Sequence, residues 1–291
     1  MNRTMDDIIK ELKKYPERIM FLYRWLGETK YRWEERERLC EYLLENIENL
    51  QHHIKVVAYA GESTGDPKGW EYLDYRKDER DGFPKDNSGK SKKEDGEYLR
   101  GEDHLAMDIF NMGRNEEDNS LKYIDGLGYI LDYQMPIGGT PTLLLVKDDS
   151  IYDKNSEDYI YGIPDPDKQY KETKKEELFN PGKCDLVAFD EGHFIIYELK
   201  KQNNQESMLR AVMEAYTYRQ MLNTELATKS FRSHYRYLIP EGDMRWEARL
   251  LLGKGKMQYN EYVKKEDSYL RQLMNKLEIT PIWYTTDFSI S

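Results

Sequence analysis

The sequence predicts an α/β fold, a central mixed β-sheet flanked by helices and fronted by a helical N-terminal segment. Three observations predict it. The first fifty residues place apolar side chains at three-to-four spacing, the period of an amphipathic helix. From residue 97 onward helical and extended patterns alternate, which implies a sheet with helices on its faces. Within that part, residues 182–200 form two short apolar runs joined by an acidic, glycine-containing turn, the pattern of a β-hairpin.

In chain order, residues 4–50 read as two or three helices carrying Ile8, Ile9, Leu12, Leu39, Leu43, Leu44 and Ile47, with breaks at Pro16 and Gly27. Residues 54–60 read as a strand or as the end of the helical block. Residues 61–96, rich in Gly, Asp, Lys and Ser, read as a polar loop or linker. The division is therefore 1–60 helical segment, 61–96 linker and 97–291 principal domain. A helix is expected over 97–112, then strands over 129–135 and 142–146 and a short one over 159–161. After the hairpin come a helix over 206–222, a strand over 235–239, helical stretches over 246–252 and 268–277, and a final strand over 279–284.

Composition narrows the function classes. At 291 residues the chain can bury a substantial core, and its 24 Tyr and 5 Trp argue for a folded globule although 34% of residues are charged. Cys40 and Cys184, without paired spacing, exclude a disulfide framework and a zinc knuckle, so a reducing cytoplasm is expected. The N-terminus has no apolar run of signal-peptide length, and no window approaches a membrane span. The net charge of -11 argues against a protein that coats nucleic acid non-specifically, since phosphate binding rests on Lys and Arg. A local basic strip can coexist with it; its candidates are Lys200, Lys201, Arg210, Arg219, Arg232 and Arg236.

The chemistry is expected at the hairpin. Side chains alternate along a strand, so Glu198 and Lys200 share a face while Leu199 points into the core. With the turn near 190–192, Asp185 falls roughly opposite Glu198 on the neighbouring strand. An acidic residue two before a basic one is common in this composition, about eight by chance. The weight comes from the apolar strand that ends in Glu198 and Lys200, because ionised groups at a buried strand end are uncommon unless paired or metal-bound. Two adjacent carboxylates repel unless a cation lies between them, and hard Mg2+ takes carboxylate oxygens while keeping positions open for water and phosphate. The plain alternative is a surface strand whose Glu198 pairs with Lys200 or Lys201.

Asp185, the twelve-residue spacer, Glu198-Leu199-Lys200 and the helix beginning at Glu206 together resemble the PD-(D/E)XK nuclease superfamily over residues 97–285. The resemblance implies a restriction-endonuclease-like fold and a magnesium-dependent nuclease, with Mn2+ able to substitute and DNA the expected nucleic acid. It implies that Asp185, Glu198 and the Leu199 carbonyl hold the metal while Lys200 serves catalysis. Cys184 stands where the name-giving Pro would be. Many members carry a further Glu on the helix before the first core strand. Of Glu97 and Glu102, only Glu102 shares a face with Leu105 and Ile109, so Glu102 is the expected fourth site residue. Some exonuclease-like branches have Gln and Tyr four residues apart on the later helix; Glu214 and Tyr218 stand at that spacing here, with Glu in place of Gln. His104 and His193 have no second His at ligand spacing and receive no role. The competing expectation is a nuclease-fold binding or scaffold module that does not cut. No membrane partner is expected, and the N-terminal helices are the expected surface for a homodimer.

Overall fold

The computed structural model describes residues 3–54, 102–137 and 183–285, except 29, 116, 119, 203, 256 and 264, and the pairs 56–57, 93–94, 97–98 and 159–160. Its centre is a six-stranded mixed sheet. In chain order the strands are β1 (Tyr123–Ile124), β2 (Gly128–Pro136), β3 (Lys183–Asp190), β4 (His193–Lys200), β5 (Arg245–Gly253) and β6 (Thr280–Tyr284). They lie side by side in the order β6-β5-β4-β3-β2-β1. The pairs β1/β2, β2/β3 and β3/β4 are antiparallel, and β4/β5 and β5/β6 are parallel.

The hairpin β3-β4 forms as its sequence predicts. Asp190 pairs with His193 across the two-residue turn Glu191-Gly192, and both turn residues have positive φ, 47° and 85°. Such a turn matches the twist of the strands it joins, and glycine adopts that φ without steric cost. Leu186 lies opposite Tyr197, which fixes the register of everything beyond.

Eight helices are described: α1 (Met5–Lys14), α2 (Leu22–Glu28), α3 (Trp33–Gln51), α4 (Glu102–Met112), α5 (Met208–Met221), α6 (Thr224–His234), α7 (Met257–Val263) and α8 (Tyr269–Lys276), with a 3-10 turn over Pro16–Phe21. One sheet face carries Leu186, Ala188, Ile195, Tyr197 and Leu199 and packs with Ala106 and Ile109 of α4. The other carries Val187, Phe189, Phe194 and Ile196 and packs with α5. There Phe194 stacks on Trp246 at 4.4 Å between ring centroids.

Helix α5 is buried almost all round, from Met208 and Leu209 through Tyr216 to Met221. A helix apolar on every side needs cover on every side. The sheet covers one side, and α2 and α3 cover another, so Leu22, Trp25, Leu39, Leu43 and Ile47 join the same core as Phe194 and Leu250. Glu37 of α3 accepts hydrogen bonds from the amides of Tyr269 (2.9 Å) and Leu270 (3.2 Å), capping the first turn of α8. Buried Arg36 donates to Glu261 Oε1 at 2.5 Å, and Glu261 Oε2 accepts from the Met208 amide that opens α5.

Several expected elements are corrected. The helix expected over 97–112 starts at Glu102, directly after Gly101, and Glu97–Tyr98 instead pairs with Lys93–Glu94. The expected strand at 235–239 is a turn, whose Tyr235 hydroxyl donates to the Leu131 carbonyl. The expected helix at 246–252 is strand β5, where Trp246, Ala248, Leu250 and Leu252 are buried at every second position. Helices α6 and α7 and strand β1 lack a sequence counterpart above. Tyr159–Ile160 is extended and pairs with Val56–Val57. The strand expected at 142–146 and most of the linker lie outside the described residues. Cys40 and Cys184 are both buried and unbonded to each other. Among the described residues no helix is long and apolar enough to cross a membrane.

Candidate active site

The site lies at the end of β4, where a buried strand finishes in Glu198, Leu199 and Lys200. Alternation sends Leu199 into the α4-side core and leaves Glu198 and Lys200 on the α5 side. Asp185 lies one residue beyond the Leu186–Tyr197 pair, and its carboxylate reaches the Leu199 amide. All three are nearly inaccessible, at 8% for Asp185, 3% for Glu198 and 4% for Lys200, so the strand is not a surface one, although the Glu198–Lys200 pair of the plain alternative is present.

Each oxygen of Asp185 has one donor. Oδ2 accepts from the Leu199 amide at 2.7 Å, and Oδ1 accepts from Gln134 Nε2 at 2.8 Å. Lys200 Nζ sits within a ring of carboxylates: Glu198 Oε1 at 2.6 Å, Glu214 Oε2 at 3.2 Å, Glu206 Oε2 at 3.3 Å and Glu102 Oε2 at 3.7 Å. Glu102 reaches in from the first turn of α4. Its Oε1 accepts from the Lys201 amide (3.2 Å) and from Asn204 Nδ2 (2.6 Å), which ties the α4 start to the segment leaving β4. Glu214 Oε1 accepts from the Tyr218 hydroxyl at 3.2 Å, one helical turn further along α5.

The electrostatics follow from crowding and burial. Burial pushes Asp185 up to about 7, against the Lys200 charge and the Leu199 amide, which favour its ionised form. Burial, then the Glu214 charge, raises Glu198 well above the usual carboxylate range. Burial alone would lower the Lys200 ammonium pKa, but Glu198, Glu214 and Glu102 outweigh it and hold the ammonium charged. Burial also acts to raise Glu214, yet Lys200 and Arg210 prevail and keep it below its ordinary value.

The four residues expected from sequence, Glu102, Asp185, Glu198 and Lys200, thus meet in one place. Glu214 and Tyr218 join them, and Tyr218 has a polar role as well as its buried ring. Two members were not anticipated. Glu206 begins an i,i+4 ion pair with Arg210, a spacing visible in the sequence. Gln134 follows Asp132 by two residues in the strand Gly128–Pro136 and is visible only as a second polar interruption there. Of the basic candidates, Lys200 is buried in the ring, and Arg232 donates to the carbonyls of Pro240 (2.9 Å) and Gly242 (2.6 Å). His193 lies at the far end of β4, facing Glu247 at 3.9 Å. A cleft of about 520 Å3 opens beside the ring, lined by Glu206, Arg210, Lys30 and Arg36 among others.

Among the described residues no three or more His, Cys, Asp or Glu side chains stand in a metal-binding arrangement. The reason is visible in the ring, where the Lys200 ammonium takes the central position. The donor set nevertheless fits a hard divalent cation. It is all oxygen, its carboxyl groups outnumber the cations Lys200 and Arg210, and Glu198 Oε2 is buried with no group donating to it. Comparison of the chain with protein-family models, with curated proteins and with solved structures finds no match.

Proposed function

We propose that the protein is a magnesium-dependent nuclease of restriction-endonuclease-like fold that hydrolyses nucleic-acid phosphodiester bonds, DNA foremost. The observation that carries this reading is the buried, donor-less Glu198 Oε2 beside Asp185 and Glu102, in a ring with more carboxyl groups than cations. Asp185, Glu198, Glu102 and the Leu199 carbonyl would hold the ion, with Mn2+ able to substitute. Bound there, the ion would polarise a phosphoryl oxygen and lower the pKa of a water molecule. With the ion holding the carboxylates, the Lys200 ammonium would be available to stabilise the developing negative charge of the phosphate. Glu102, fixed by the Lys201 amide and Asn204, keeps one oxygen toward the site. The substrate would approach along the cleft lined by Lys30, Glu206 and Arg210 among others.

The central Lys200 favours a second reading, a nuclease-fold binding or scaffold module in which the ammonium is a permanent internal counter-ion. Thermal melting with and without Mn2+ separates the two. The nuclease reading expects a cation-dependent rise in Tm that Asp185→Ala abolishes. It also expects cleavage of single-stranded, double-stranded or branched DNA that Glu198→Ala and Lys200→Ala both remove. A wild type whose Tm ignores the cation would falsify the metal site.

A further inference from the structure

Gln134 is one of three non-glycine residues in the left-handed region among those described, with φ 51°, and the only one of them inside a strand. Its neighbours locate it. Tyr133 pairs with Leu186 and Met135 with Cys184, so Gln134 lies opposite Asp185. Tyr133 enters the α4-side core and Met135 the α5-side core, although residues two apart in a regular strand share a face. Their partners change face in the same way, Leu186 lying in the α4-side core and Cys184 in the α5-side core, so the two strands turn together at this position, where the half-buried Gln134 amide is aimed at Asp185 Oδ1, 2.8 Å away. Strand β2 also has one register shift, between Ile130 and Asp132, while the register is kept from Tyr133 through Pro136. A strained side-chain-bearing residue next to a candidate ligand is where strain and function coincide.

We propose that Gln134 is a positioning residue that locks the Asp185 carboxylate in the plane required to bind a divalent cation. This rests on the metal-site reading above. With Oδ2 held by the Leu199 amide and Oδ1 by Gln134, the carboxylate cannot rotate, and the remaining lone pair of each oxygen has a fixed direction. The role needs both the left-handed backbone and the full reach of a glutamine side chain. Glycine and asparagine adopt the backbone readily, but one has no amide and the other is a methylene too short.

Gln134→Gly and Gln134→Asn test this together. Both are expected to melt within about 2 °C of the wild type without cation. In both, the Mn2+ concentration giving half-maximal thermal stabilisation is expected to rise about tenfold, and excess cation is expected to restore the full stabilisation. Wild-type Mn2+ dependence in both variants overturns the positioning role alone. So does a fall in Tm of more than about 10 °C, which would make Gln134 a fold determinant. A wild type without any Mn2+ response overturns the metal reading and this role with it.

Discussion

Lys200 Nζ lies 2.6 Å from Glu198 Oε1, two residues back on the same strand, and three further glutamates complete its surroundings. Removing the ammonium leaves Glu198 buried without its cation and Glu214 with Arg210 alone. Lys200→Met is expected to cost about 3–5 kcal/mol at pH 7.5 without divalent cation. The cost shrinks at pH 5.5, where the carboxyl groups take up protons, and Mn2+ recovers part of it. Urea unfolding at the two pH values, with and without the ion, measures all three effects. Equal losses throughout would mean that packing, not charge, is Lys200's contribution.

Asp185 makes stability depend on pH in an unusual direction. Its pKa is raised from 3.8 to about 7 on folding, so the native state binds the proton more tightly than the unfolded chain. Stability is then full below pH 4 as far as this group is concerned, and is lost as pH rises through 7. The difference is on the order of 4 kcal/mol, and Glu198, shifted the same way, adds to it. Cation-free protein is expected to melt lower at pH 8 than at pH 5, and Asp185→Asn to flatten most of that slope. A Tm that climbs from pH 5 to 8 in the wild type contradicts the assignment.

Glu102 separates site function from fold stability. Of the carboxylates around Lys200 it is the most open after Glu206, with 26% of its side chain exposed, and it holds the Lys201 amide and Asn204. Glu102→Ala is expected to cost only about 1 kcal/mol of stability, while weakening Mn2+ binding at least about tenfold. Calorimetric titration beside a urea melt decides it. Unaltered cation affinity would confine Glu102 to tying α4 to the end of β4.

Arg36 and Glu261 test how firmly the N-terminal helices are bound to the rest. Their 2.5 Å ion pair is buried, and Glu261 also receives the Met208 amide. Arg36→Met leaves the carboxylate without its cation and is expected to cost about 3 kcal/mol. The double variant Arg36→Met/Glu261→Met recovers only part of this, because the Met208 amide then loses its acceptor. Chemical denaturation of the three proteins gives the coupling.

What the sequence disclosed and what it hid have physical causes. The β3-β4 hairpin was legible because its apolar runs and its Glu191-Gly192 turn act locally, and local preference and tertiary demand agree there. Glu102 was legible through helical periodicity, since its face is shared with Ile109, a buried residue of the α4-side core. Strand β5 was misread because Glu247, Ala248, Arg249 and Leu250 are strong helix formers, and pairing with β4 overrides that preference. The alternation of buried Trp246, Ala248, Leu250 and Leu252 was the better signal. Gln134 and Glu206 could not be placed from sequence, because they reach the site only through a strand irregularity and a helix start that tertiary structure fixes.

The cap that Glu37 places on α8 bears on how this protein can be dissected. The carboxylate and the amides it accepts are separated by 232 and 233 positions in the chain, so the first helices close a structure that the last ones begin. A fragment starting at residue 97 would keep every residue of the Lys200 ring, yet it would leave α5 bare along one side and the Tyr269 and Leu270 amides of α8 without the Glu37 carboxylate. The candidate site is therefore not a portable module: the ring residues, drawn from 102–214, share their core with helices from the first fifty residues and with α8, and they can only be exchanged together with them.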